Sequence, residues 1–123
     1  MRPICLPEIS TIVHEDMQLT TVGWQFGYSA PVLKQGLNSV VNYFKCKKYY
    51  KWVKNSLGCG RESDSKNEYL GNNGASLMHK FNHRWYLLGI VVFVDSSSEF
   101  PIVFLDTRLA LYWLEKIRKD YSK

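Results

Sequence analysis

The chain has 123 residues, one domain's worth and enough to bury a hydrophobic core. Hydrophobic residues make up 46% and aromatic residues 15%, which excludes an intrinsically disordered chain. The net charge of +5 permits attraction to acidic partners without by itself making a nucleic-acid binder.

From the N-terminus, Met1-Arg2-Pro3-Ile4-Cys5 lacks the apolar stretch that follows the basic residue of a secretory signal. Two prolines within Met1 to Pro7 predict extended chain. Gln18 to Gln25 is rich in β-branched and aromatic residues and predicts a strand. Gly27 to Pro31 reads as a loop, and Gly36 to Tyr43 resumes strand character. Lys45 to Lys54 differs, because Cys46, Tyr49, Tyr50 and Val53 fall at i, i+3, i+4 and i+7. That spacing predicts one apolar face of a short helix with lysines on the others.

Cys59 to Gly74 is polar and punctuated by glycine, so it reads as surface loop. Ser76 to Phe81, Arg84 to Val94 and Pro101 to Leu105 are three further strands, with a tight turn at Asn82-His83 between the first two. Trp85 to Val94 is also the longest apolar run, about half the roughly 20 residues that a membrane-spanning helix needs. No membrane partner is therefore expected. Thr107 to Tyr121 predicts a helix capped by Asp106 or Thr107, with Leu109, Tyr112, Trp113, Lys116 and Ile117 near helical spacing. Five or six strands, a short helix and a C-terminal helix describe a small all-β barrel with a helical tail.

Three cysteines cannot all pair within one chain. Cys46 and Cys59 could close a loop of about 13 residues, and such a bridge is worth roughly 3 kcal/mol. Cys5 would then be left for an external partner or as a buried thiol. Reduced core cysteines are the plain alternative for all three. His14, His79 and His83 combine with the cysteines in no zinc-binding spacing, so neither a metal nor a cofactor is expected.

Several landmarks in order resemble the second barrel of trypsin/chymotrypsin-like serine proteases. Pro3-Ile4-Cys5-Leu6-Pro7 resembles the segment that leads into that barrel, and Thr21-Val22-Gly23-Trp24 its first strand. Gly71-Asn72-Asn73-Gly74-Ala75-Ser76-Leu77 stands where the family carries G-D-S-G-G-P-L. Tyr86 to Val91 resembles the strand beside the substrate cleft, and Tyr112-Trp113-Leu114 the terminal helix. The resemblance covers nearly the whole chain, as a partial domain over residues 1–123. It implies a six-stranded antiparallel Greek-key barrel with an intermediate and a C-terminal helix, and no cofactor.

The same resemblance assigns roles. Cys46 and Cys59 match a family disulfide, and Cys5 matches a position that ties the barrel to chain outside it. Two other family bridges have lost both ends together, one at Tyr69 and near Ser96 to Ser98, the other at His79 and near Leu19. In the catalytic template a serine attacks the carbonyl, a histidine takes its proton and an aspartate orients the histidine. Asn73 stands at the serine position, and losing the nucleophile removes on the order of 10⁶-fold of rate. Asn72 replaces the aspartate that pairs with the activated amino terminus, and Gly71 is a remnant of the oxyanion hole.

Asn67 falls near the base of the specificity pocket, with Val92, Phe93 and Val94 at its rim. A valine at the usual glycine position of the rim is expected to project toward the pocket mouth. The family's catalytic histidine and aspartate belong to a first barrel that this sequence does not include. Extracellular location is implied by the family alone.

Three functions follow as expectations. The first is a non-catalytic homologue that binds a protein partner, a protease or a substrate-like ligand. The second is a truncated or relic copy without independent activity. The third is a polyanion-binding module built on Lys45, Lys47, Lys48, Lys51 and Lys54 with interleaved Tyr49, Tyr50 and Trp52. A solvated helix face explains those lysines equally well.

Overall fold

The structure is a computed structural model, and it describes residues 3–25, 32–62, 73–95 and 100–121. Six strands close into one antiparallel barrel: β1 (Gln18–Gln25), β2 (Val32–Val41), β3 (Leu57–Glu62), β4 (Ser76–Phe81), β5 (Arg84–Phe93) and β6 (Ile102–Asp106). Their order around the barrel is β1-β2-β3-β6-β5-β4. Two three-strand meanders are thus joined by the β3-to-β4 connection, as the Greek-key expectation required. Helix α1 (Tyr43–Tyr49) packs against β3, and α2 (Leu111–Tyr121) follows β6 through a 3₁₀ turn over Thr107–Ala110.

β3 is a strand where the composition from Cys59 onward predicts surface loop. Its glycines suggested a turn, but packing requires them. A Cβ on Gly58 would stand 2.6 Å from Phe104 Cζ, and one on Gly89 of β5 would stand 2.7 Å from Phe104 Cδ2. The buried Phe104 ring of β6 therefore lies over a glycine on each neighbouring strand. Met17, Leu19, Val40, Leu77, Leu88, Val91 and Ile102 complete this main core.

A second core lies on the outer face of the same two strands. Side chains alternate across a strand, so Cys59 of β3 and Val103 of β6 point away from Phe104. They meet Cys46, Tyr50 and Val53 there, all buried. The Cys46–Cys59 disulfide joins α1 to β3 with a Cα–Cα distance of 5.6 Å. The helix is shorter than expected and starts earlier. Asn42 caps it, its side-chain oxygen accepting a 2.8 Å bond from Phe44 N, and the chain turns extended at Tyr50. Tyr49, expected on the buried face, is exposed instead.

Two irregularities re-aim side chains along β5. Pairing with β4 steps from Leu77↔Gly89 to Met78↔Leu87, which leaves Leu88 as the extra, buried residue. Pairing with β6 steps from Val91↔Phe104 to Phe93↔Val103, which leaves Val92 unpaired and exposed. Both are β-bulges, which sharpen the bend that a closed barrel needs. The Asn82-His83 turn has φ of 49° and 64°, the paired positive values of a two-residue hairpin.

Gly58→Ala should lower stability by about 1–3 kcal/mol through overpacking against Phe104. Phe104→Leu in the same chain should recover part of that loss. Denaturant melts of the two single variants and the double variant check this, and strict additivity would contradict the packing account.

Candidate functional site

The family's chemistry would centre on the loop before β4, and only its end is described. Asn73 sits in an exposed turn, followed by Gly74 with φ of 86°, a left-handed conformation that glycine adopts without strain. Gly74 N donates to Val91 O at 2.6 Å, and Val91 N donates to Ala75 O at 2.9 Å. The turn is thus anchored to β5 next to the rim residues. Gly71, Asn72, Asn67 and Tyr69 lie outside the described residues, as do Ser96 to Ser98.

The residues expected at a pocket rim separate. Val92 and Phe93 face outward, whereas Val94 is half-buried and packs against the main core. Its side chain helps to fill the barrel, which differs from the expected projection toward a pocket mouth. Phe93 instead joins an aromatic cluster. Its ring stands edge-on to Tyr50 at 5.4 Å and to Trp52 at 5.8 Å, and Phe100 packs on Tyr49 at 5.5 Å. Tyr50 is the hub, with its hydroxyl donating to Pro101 O at 2.8 Å. Burial, and then the nearby Asp95 charge, push its phenol above the usual tyrosine value. Local spacing does not join the tyrosines to Phe93, which lies 43 positions beyond Tyr50.

At the barrel seam, β1 meets β4 at the pair Thr20↔Met78. One antiparallel step along lie Leu19 and His79, the two positions that the resemblance assigns to one lost bridge. Leu19 is fully buried, and His79 Nδ1 lies 3.1 Å from Gln18 O. A core leucine and a histidine in contact with β1 thus stand at the two positions of that expectation.

Strands β1 and β2 also bury two polar residues, Thr21 and Asn38. Thr21 and Asn38 are fully buried, and Thr21 Oγ1 and both amide atoms of Asn38 have no hydrogen-bond partner among the described residues. No sequence signal pointed to them, because both sit in ordinary strand patterns.

Cys5 is half-buried and unpaired. Its segment is held as a short parallel bridge to β5, with Cys5 N donating to Trp85 O at 3.0 Å and Leu87 N donating to Cys5 O at 2.9 Å. Beside it runs an open groove of about 670 Å³ lined by Pro3, Ile4, Met78, Arg84 and Trp85. Further along, Arg108 makes a forked ion pair with Asp106 and donates to Thr11 O, strapping the N-terminal segment to the start of the tail. The hydrogen bonds to Asp106 raise the Arg108 guanidinium further above its ordinary value.

A closed six-stranded barrel with a disulfide-bound intermediate helix, a terminal helix and a glycine turn anchored to β5 defines a barrel of the trypsin-like class. The trypsin family profile matches residues 1–114, and the chain belongs to that family. Over 126 aligned positions it is 30% identical to chymotrypsin-C of Bos taurus, covering 91% of this chain and 46% of that protein. Its fold also matches a crystal structure described as a scabies mite inactivated protease paralogue. The TM-score is 0.75 at 20% identity, over 96% of this chain and 53% of the other. The chain thus spans about half the length of the relatives it matches.

Two substitutions test the site as built. Leu19→Cys with His79→Cys should form a disulfide, since facing antiparallel residues bring Cα atoms within bridging range. The oxidised double variant should lose two hydrogens by mass spectrometry and melt above its own reduced form. Thr21→Val with Asn38→Leu should raise stability by about 1–3 kcal/mol by removing buried polar atoms without partners. Urea midpoints check the second.

Proposed function

We propose that this chain is a non-catalytic trypsin-family homologue that acts by binding a protein partner outside the cell. The observation that carries this reading is Asn73. The run from Gly71 to Leu77 sets it at the family's nucleophile position, in a turn open to solvent. A carboxamide nitrogen shares its lone pair with its own carbonyl, so it neither attacks a peptide carbonyl nor yields a proton to a base. Asn72 likewise offers no carboxylate to an activating amino terminus.

The histidines supply no evident replacement base. His14 Nδ1 lies 2.9 Å from Glu15 O, His79 Nδ1 faces Gln18 O, and His83 occupies the β4–β5 turn. The mite protein's description as inactivated lends the reading a precedent in the same fold. Support for binding comes from α2, in which no residue is buried. Leu109, Tyr112, Trp113, Ile117 and Tyr121 are exposed on it and on the turn before it. An isolated helix of 11 residues is marginal in water, and an uncovered apolar patch marks an interaction surface. The Cys46–Cys59 bridge fits an oxidising, extracellular setting, where Cys5 could pair with a partner's thiol.

Purified chain mixed with fluorogenic peptides of basic, aromatic and aliphatic specificity should show no turnover above buffer. A fluorophosphonate serine probe should leave it unlabelled. Stoichiometric labelling, or saturable hydrolysis blocked by that probe, would overturn the non-catalytic reading. A single cooperative thermal melt is expected of a domain retained for binding, while a relic copy would show none.

A further inference from the structure

The net positive charge of this molecule comes from one stretch of chain. Residues 17–61 contain seven Lys and Arg and no Asp or Glu, although the whole chain nets only +5. Everything outside that stretch therefore carries a net charge of −2. Five of the seven, Lys45, Lys47, Lys48, Lys51 and Lys54, lie on α1 and the turn that follows, and all five are exposed. Arg61 of β3 reaches the same face, with its guanidinium 5.3 Å from the centre of the Tyr49 ring. At one edge Lys45 meets Glu15 at 3.7 Å, and Lys47 lies over Tyr43. Lys48, Lys51 and Lys54 have no acidic partner among the described residues.

Two further features separate this face from a merely solvated helix. The first is rigidity. The Cys46–Cys59 disulfide, the buried Val53 and the bond from the Tyr50 hydroxyl to Pro101 O hold the backbone under the lysines at three points. Charges fixed at set spacing lose less freedom when a ligand binds. The second is the aromatic rim. Tyr49, Trp52 and Phe100 each keep between 44% and 49% of their surface open although they pack in the ring cluster. Cations that surround open rings suit a chain of anionic groups carried on flat, partly apolar units.

We propose that the face formed by α1, the Lys51–Lys54 turn and Arg61 binds a sulfated polysaccharide. Sulfate groups would sit among Lys48, Lys51, Lys54 and Arg61, with a sugar ring against Trp52. The disulfide that fixes the face is stable in an oxidising compartment, where sulfated glycans are the prevailing linear polyanions, and this favours them over nucleic acid. The site is independent of the nucleophile loop, so it stands whether or not the chain cleaves peptides.

The test is the affinity of the full chain for a heparin oligosaccharide, measured by calorimetry or fluorescence across salt concentrations. Release of counterions from a linear polyanion should make log K fall with log salt, with a slope of magnitude about 3 or more. Lys48→Ser, Lys51→Ser and Lys54→Ser combined should weaken binding at least tenfold. Removing equal charge elsewhere, with Lys80→Ser, Arg84→Ser and Lys116→Ser, should change it less than threefold. Trp52→Ala should weaken binding while leaving the salt slope unchanged. Equal losses from the two triple variants, or a flat salt response of the unaltered chain, would overturn the proposal. So would tighter binding to a DNA duplex of the same charge, which would assign the face to nucleic acid.

Discussion

The barrel depends on how one ring is accommodated. A small closed barrel must be filled by side chains from its own strands, with neither void nor clash. Phe104 supplies the bulk on β6, and Gly58 and Gly89 clear the space on the strands at either side. The register follows from that fit, because β3 and β5 must present glycine where the ring passes. Strand alternation then sends Cys59 and Val103 to the opposite face. A correctly seated Phe104 thereby prepares the surface onto which α1 closes.

The second core carries that constraint outward. Disulfide, Tyr50 and Val53 tie α1 to the barrel wall, and Tyr50 extends the contact to Pro101 and the ring of Phe93. Burial favours the neutral phenol of Tyr50, which keeps its proton available for Pro101 O. The bulge at Val92 puts Phe93 at the rim of this cluster. The region that would border a substrate in a working protease is therefore continuous with a rigid, aromatic and basic surface.

Strands β1 and β4 were legible residue for residue, since each is a run of β-formers with a clear boundary. The Asn82-His83 turn was legible from its residue types, which tolerate positive φ. β3 was hidden because Leu57–Glu62 has the composition of a loop, and its glycines acquire a packing role only opposite Phe104. Cys46 and Cys59 were visible as a possible pair, and their bridge is present. The buried Thr21 and Asn38 were invisible, because a polar residue in a strand pattern is expected to face solvent.

The sequence by itself determined the family, the barrel class and the run of lysines after Asn42. These are properties of residue type and order, and they need no knowledge of distant neighbours. Tertiary structure decided that β1 meets β4 at Thr20 and Met78, that Val94 packs against the core, and that Phe93 meets Tyr50 and Trp52. It also decided that Tyr112, Trp113, Ile117 and Tyr121 of α2 stay exposed. The physical reason is common to all of these: closing a sheet into a barrel joins residues remote in the chain, and local spacing carries no record of which will meet.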